Sequence, residues 1–246
     1  MRQCGNVEGA LSAQPPAPSA PGSDPRIGAG PVTVLRMSLL REFTHEFVPA
    51  EGATTTTLVL LHGTGGDERD LLPLGRALHP TAAILSPRGR VLERGMPRFF
   101  RRLAEGVFDL DDVRARAQEF ATFLDEAAEH YGLARGRMVA VGYSNGANIA
   151  HATLLLRPGS LAGAALLHAQ FVIAPDPIPS LAATPVFLAA GEADPIVPVA
   201  EARRLVDLLT AAGATVTPYW SPGGHNLTRE DVAHAQAWMN SAGFGS

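Results

Sequence analysis

The stretch Met138-Val139-Ala140-Val141-Gly142-Tyr143-Ser144-Asn145-Gly146 decides how the chain is read. Four apolar residues give a buried-strand signal, a Gly-x-Ser-x-Gly turn follows, and residues 147–156 continue as a helix-compatible run. A serine at such a strand-to-helix turn is held in a strained backbone conformation that lifts its Oγ clear of the sheet. The flanking glycines are required because a Cβ at either position would press on neighbouring strands. The hydroxyl then stands near the positive end of the following helix. On the order of 0.1 such pentapeptides are expected by chance from this glycine and serine content, so the context, more than the motif, marks Ser144 as a candidate nucleophile.

Working outward, the same strand signal recurs at residues 57–61, 82–85, 164–167 and 186–190, with Gly or Pro punctuation and helical patterns between the runs. Leu110, Val113, Ala117, Phe120, Leu124, Ala127 and Tyr131 form one long apolar helical stripe, and Ala202, Leu205, Val206, Leu209 and Ala212 form a second. Strands alternating with amphipathic helices predict an α/β fold, a mostly parallel central sheet with helices on both faces. The alternation over residues 43–48 suggests an antiparallel edge strand at the start.

A length of 246 residues suits one such domain, and 46% apolar content is ample for its core. The formal charge of −4 comes without any isolated Lys/Arg block, which argues against nucleic acid as a partner. The only cysteine, Cys4, has no intrachain partner, so a disulfide framework is excluded. No apolar run reaches the roughly 18 residues of a membrane span. No continuous apolar h-region marks a secretory signal, and a cytoplasmic location is the expectation. Residues 1–36 carry six prolines and five glycines and few large apolar groups. They read as a disordered low-complexity leader to a domain spanning 37–246, with Met37 a candidate true start.

A serine nucleophile needs a base and a group to orient the base, and in α/β-hydrolases these follow in the order Ser, Asp or Glu, His. Residues 186–190 lead into Gly191-Glu192-Ala193-Asp194-Pro195, which places an acid just past a strand's carboxyl end, on the same edge as the serine. Asp194 is preferred to Glu192 because the following proline fixes the turn, and to Asp176 because that residue lies in a proline-flanked insertion. His225 closes the loop Ser221-Pro222-Gly223-Gly224-His225 after the strand-like residues 215–219, and a helix N-capped by Thr228 follows to about residue 240. His62, His151, His168 and His234 fit the base role less well by position. The candidate triad is Ser144, His225 and Asp194.

Residues 58–61 run into His62-Gly63-Thr64-Gly65-Gly66-Asp67, a small-residue loop able to bring a backbone donor close to a tetrahedral oxygen. Thr64 N–H and Asn145 N–H are the candidate oxyanion-hole donors. Met96, Phe99 and Phe100, with Phe171, Val172 and Ile173, are candidate pocket residues, since small-ligand sites are mostly apolar; ordinary core residues are the competing reading. Arg98, Arg101 and Arg102 could hold an anionic group, but Glu105, Asp109, Asp111 and Asp112 follow closely, and a solvated charged face is expected.

The stretches LHGTGGDERDLLPL, SPRGRVLERGMPRFFRRLAEGVFDLDD, VGYSNGANIA, GEADPIVP and GGHNL resemble the phospholipase/carboxylesterase branch of the α/β-hydrolase fold, which includes the acyl-protein thioesterases. Within it they are most similar to a bacterial group associated with methylhydroquinone resistance. The resemblance implies a serine carboxylesterase acting on small to medium esters through an acyl-enzyme, with no metal and no organic cofactor. It carries the triad roles to Ser144, Asp194 and His225 and the oxyanion roles to Thr64 and Asn145. Asn145 departs from the acyl-protein thioesterases, which commonly have Gln there. A thioesterase or lysophospholipase on the same triad is the alternative, and a non-catalytic ligand-binding version of the fold a remoter one. The expected partner is a small ester; the oligomeric state is open, with a homodimer among the options.

Overall fold

The computed structural model describes residues 38–245. The expectations for a leader at 1–36 and a start at Met37 lie outside the described residues. The chain opens with α1 (Leu39–Glu42), β1 (His45–Val48), β2 (Thr57–Leu61), α2 (Leu72–Leu78) and β3 (Ala83–Pro87). Four short strands follow: β4 (Val91–Glu93), β5 (Met96–Arg98), β6 (Arg102–Ala104) and β7 (Val107–Phe108). Then come α3 (Leu110–Tyr131), β8 (Met138–Tyr143), α4 (Asn145–Leu156), β9 (Gly163–Leu167) and β10 (Pro185–Gly191). The last elements are α5 (Val199–Ala211), β11 (Thr215–Ser221) and α6 (Arg229–Ser241).

Seven strands form one sheet in the order β1-β3-β2-β8-β9-β10-β11. All neighbours are parallel except β1, which pairs antiparallel with β3 as the alternation at residues 43–48 predicts. Every residue of β2, β3 and β9 is buried, as expected for strands covered on both faces. One face is covered by α3, α4 and α5 through a core that includes Phe120, Phe123, Ile149, Leu205 and Leu209. The other is covered by α2 and α6 through Leu78, Trp238 and Met239. Pro218 sits in β11, at the sheet edge, where a missing N–H costs least.

From β2 the chain turns outward to β3 and then returns past β2 to β8. Adjacent strands β2 and β8 therefore send their connections in opposite directions, and the crevice above their carboxyl ends is where ligands of such sheets bind. Local signals set the helix ends. The Asp109 side chain caps α3 by accepting from Asp112 N–H (3.1 Å), and Gly132, at φ 67°, ends it in the left-handed region. Thr228 caps α6 in a full capping box with Asp231. Between β3 and α3 the chain makes two hairpins, β4–β5 and β6–β7, which the sequence did not signal because each strand is only two or three residues long. Among the described residues no helix is long and apolar enough to cross a membrane.

Candidate active site

Ser144 sits between β8 and α4 with φ 51° and ψ −114°, a strained conformation for a residue with a side chain. Its backbone is over-determined: Ser144 N–H donates to Leu167 O (2.9 Å), and Asn148 N–H donates to Ser144 O (3.0 Å). Both flanking glycines are sterically required. A Cβ at Gly142 would lie 2.6 Å from Ala147 N, and one at Gly146 would overlap the Leu61 carbonyl. The elbow is thus wedged between its own helix and β2, which pins the serine hydroxyl at the crevice.

The loops after β10 and β11 bring the other two groups in. Glu192 N–H donates to Ser221 O (2.8 Å) and Ala193 N–H to Gly223 O (3.0 Å), so the two loops travel as a pair. Gly191 permits this, because a Cβ there would strike the Gly223 and Gly224 carbonyls. His225 Nδ1–H donates to Asp194 Oδ2 (2.7 Å), which leaves Nε2 to accept from the Ser144 hydroxyl (3.0 Å). Tyr143 Oη donates to the His225 carbonyl (2.9 Å) and steadies the loop.

Asp194 Oδ1 accepts from Ile196 N–H (2.8 Å) and Val197 N–H (2.9 Å), while its side chain is only 1% exposed. Burial alone would raise its carboxyl. The Val197 N–H, the His225 imidazole and the Ile196 N–H together outweigh it and hold the group below the usual carboxylate range. Asp194 is therefore a fixed anion. Glu192, the competing acid, is exposed and lies 3.9 Å from Arg203. Asp176 is exposed in the insertion.

Thr64 and Asn145 both line the cleft beside Ser144. Asn145 is the first residue of α4, so its N–H belongs to the donors a helix leaves unsatisfied at its start. His62 holds the Thr64 loop in place: its Nδ1–H donates to Gly63 O (2.6 Å) and its Nε2 accepts from Gly89 N–H (2.9 Å). Burial lowers its pKa, which keeps the ring neutral and able to do both.

The cleft of about 310 Å³ is not lined by the expected apolar residues. Phe99 and Phe100 are buried, because the apolar stripe of α3 needs covering; the Phe99 ring packs at 6.4 Å from Phe120. What Phe99 offers the site is its backbone N–H, donated to Asn145 Oδ1 (2.8 Å). Met96 lies on β5 against Gly65 and is 40% exposed, outside the cleft. Phe171 is covered by the Arg204 guanidinium at 3.8 Å, and Val172 and Ile173 are core residues. The expected charged face is also corrected at Arg98 and Arg102, both of which line the cleft. Arg101 is exposed and paired with Asp109 (2.7 Å), but Arg98 is only 3% exposed and lies on the cleft wall. The walls are Thr64, Arg98, Arg102, Phe108, Asn148, Gln170 and Ile196.

His168, set aside as a base by its position, and Asp231, not singled out in the sequence, lie directly behind Asp194. His168, fully buried at φ 53°, places Nδ1 3.5 Å from Asp194 Oδ2 and Nε2 3.5 Å from Asp231 Oδ2. It follows β9 directly, so the rule that singled out Asp194 at a strand's carboxyl end could have found it. His168, Asp194 and His225 bring potential ligand atoms within 4.8 Å of one another. His225 has both ring nitrogens engaged with Asp194 and Ser144, so it offers no free lone pair, and the buried His168 Nδ1 has no hydrogen-bond partner among the described residues.

The sheet order, the elbow at its switch point and the paired acid and imidazole loops define an α/β-hydrolase fold. Residues 44–242 match the family described as Phospholipase/Carboxylesterase, and the chain belongs to that family. It is 47% identical over 192 residues to MhqD of Bacillus subtilis (strain 168), which is named as a hydrolase; the match covers 78% of this chain and 96% of that protein. A Bacillus cereus carboxylesterase structure superposes with a TM-score of 0.79 at 47% identity, covering 81% of this chain and 94% of that one. YahD, solved with malic acid, superposes with a TM-score of 0.76 at 30% identity, covering 81% and 99%.

Proposed function

We propose that this protein is a serine carboxylesterase that hydrolyses small to medium esters through an acyl-enzyme formed on Ser144. The observation that carries the reading is the hydrogen-bonded chain Ser144 Oγ–His225 Nε2 (3.0 Å) and His225 Nδ1–Asp194 Oδ2 (2.7 Å) on a strained elbow. His225 takes the Ser144 proton as Oγ attacks the ester carbonyl, and Asp194 holds the imidazole in the tautomer that can accept it. Thr64 N–H and Asn145 N–H receive the developing oxyanion. The imidazolium returns the proton to the leaving alcohol, and a water deprotonated by His225 then releases the acid. Membership of a carboxylesterase family supports the ester as substrate, and a cleft of about 310 Å³ favours modest acyl groups over long lipid chains.

The test is turnover of 4-nitrophenyl esters from acetate to palmitate by the wild type and by Ser144→Ala, with fluorophosphonate labelling in parallel. The expected result is wild-type turnover that peaks at short chains, and a mutant that is neither active nor labelled. Equal turnover by the two proteins would remove Ser144 from the mechanism.

A further inference from the structure

Arg98 is a buried guanidinium that the protein only partly satisfies. Its Nη1 donates to Thr64 Oγ1 (2.7 Å) and its Nε to the Phe100 carbonyl (3.3 Å). Its one acidic neighbour, Glu93, is 3.3 Å away and is shared: both Glu93 oxygens accept from Arg102 Nε at 3.0 Å. Two cations thus divide one carboxylate at the cleft wall. Burial, with Arg102 beside it, lowers the Arg98 pKa, and Glu93 offsets this only in part. Arginine nevertheless stays charged, so what results is an under-neutralised cation in a site partly shielded from water.

The neighbouring amides point the same way. Asn145 spends its Oδ1 on Phe99 N–H (2.8 Å), and its buried Nδ2 has no partner among the described residues. Asn148 spends its Oδ1 on Gln170 N–H (2.8 Å), leaving its amide donor as the free end. With both acceptor ends consumed, the polar groups that Arg98, Arg102, Asn145 and Asn148 turn toward the cleft are donors, beside an apolar wall of Phe108, Ile196 and Val197. The one acid on the lining, Glu105, is exposed. A neutral alkyl ester would leave the buried Asn145 amide unpaired and the two guanidinium groups without an anion, whereas a carboxylate could accept from several of these donors.

We propose that the cleft recognises esters that carry a free carboxylate, held by Arg98 and Arg102 with the Asn145 amide beside them. This rests on the esterase reading and adds the substrate class: half-esters of dicarboxylic acids, or esters whose alcohol part bears a carboxylate. Thr64 joins the two functions, since its hydroxyl accepts from Arg98 and its backbone N–H faces the reacting carbonyl in the proposed mechanism.

The experiment compares matched ester pairs: 4-nitrophenyl hydrogen glutarate against 4-nitrophenyl valerate for a carboxylate on the acyl side, and 4-acetoxybenzoate against 4-methylphenyl acetate for one on the alcohol side. Wild type is expected to favour the anionic member of one pair by about tenfold or more in kcat/KM, through KM, and the preference should shrink as salt is raised. The pair that shows it gives the side. Arg102→Met and Arg98→Met should abolish the preference and Arg102→Glu should reverse it. Arg102 is partly exposed, so its variants carry the test should Arg98→Met fail to fold. Wild type that hydrolyses the neutral esters with no preference in either pair overturns the subsite and leaves the esterase standing. Wild type that hydrolyses none of the four and is not labelled by fluorophosphonate overturns both.

Discussion

His168 Nδ1 lies 3.5 Å from Asp194 Oδ2, and its Nε2 lies 3.5 Å from Asp231 Oδ2, so one fully buried imidazole sits between two carboxylates whose side chains are almost wholly buried. Asp231 is in turn anchored by the start of α6, where its Oδ2 accepts from Thr228 N–H and Thr228 Oγ1–H, both at 2.8 Å. The acid that orients His225 is therefore backed by a histidine that is tied to a helix cap.

His168→Phe keeps an aromatic ring at this fully buried position but removes the ring nitrogens behind Asp194. Freed from that side, the carboxylate and His225 should lose register with Ser144. A fall of roughly ten- to a hundredfold in kcat, with KM little changed, is expected in steady-state ester hydrolysis. Unchanged kcat would make His168 a packing residue.

Asp194→Asn keeps the shape but removes the acceptor that sets the His225 tautomer. The expected loss in kcat is about 10⁴-fold, alongside retained binding of a non-hydrolysable ester analogue. A loss below about tenfold would point to another orienting acid and weaken the triad assignment.

Gly146→Ala places a Cβ on the Leu61 carbonyl and near the His62 carbonyl, backbone atoms that cannot move without shifting β2. Overpacking of this kind should cost about 3 kcal/mol or more. Calorimetry should show a Tm lower by roughly 6–12 °C, with activity lost in the same variant.

His151 is wholly buried in α4 and its pKa is lowered to about 4 by burial, which outweighs its Nε2–H bond to the Gln170 carbonyl. Above pH 6.5 the ring is neutral whether the chain is folded or not. Below that the unfolded chain gains a proton the native one refuses, so stability falls with pH until about 4. The gap from 6.5 corresponds to about 3 kcal/mol. Denaturant melts at pH 7 and 4.5 should show the loss, and His151→Gln, which cannot titrate, should flatten it; His62 acts in the same direction and leaves a residual slope.

Thr228→Ala removes the capping box of α6 and one of the contacts holding Asp231. About 1 kcal/mol of stability should go with it in a denaturant melt. A smaller fall in kcat than for His168→Phe is expected, because Asp231 is disturbed only at one remove from Asp194.

The strands, the long helices and the loops that carry Ser144, Asp194 and His225 could be read in the residues because each depends on neighbours in the chain. Apolar spacing along residues 110–131 needs only one buried side to become α3, and Gly142 and Gly146 flank Ser144 whatever packs around them. The short hairpins of residues 91–108 escaped because two or three residues carry too little periodicity to register. The apolar pocket failed for a different reason: Phe99 and Phe100 were large and near the site, but the face of α3 claimed them.

What the sequence alone determined is a chain of elements and the candidate groups at their ends, because backbone strain, glycine and helix capping act over a few residues. Only the tertiary structure decided which side chains meet. His168 and Asp231 are 63 positions apart, and Arg98 turned inward to Thr64, 34 positions away, rather than outward to solvent. Such choices depend on which surface arrives from elsewhere in the chain to desolvate a group, and that surface exists only once the sheet has assembled.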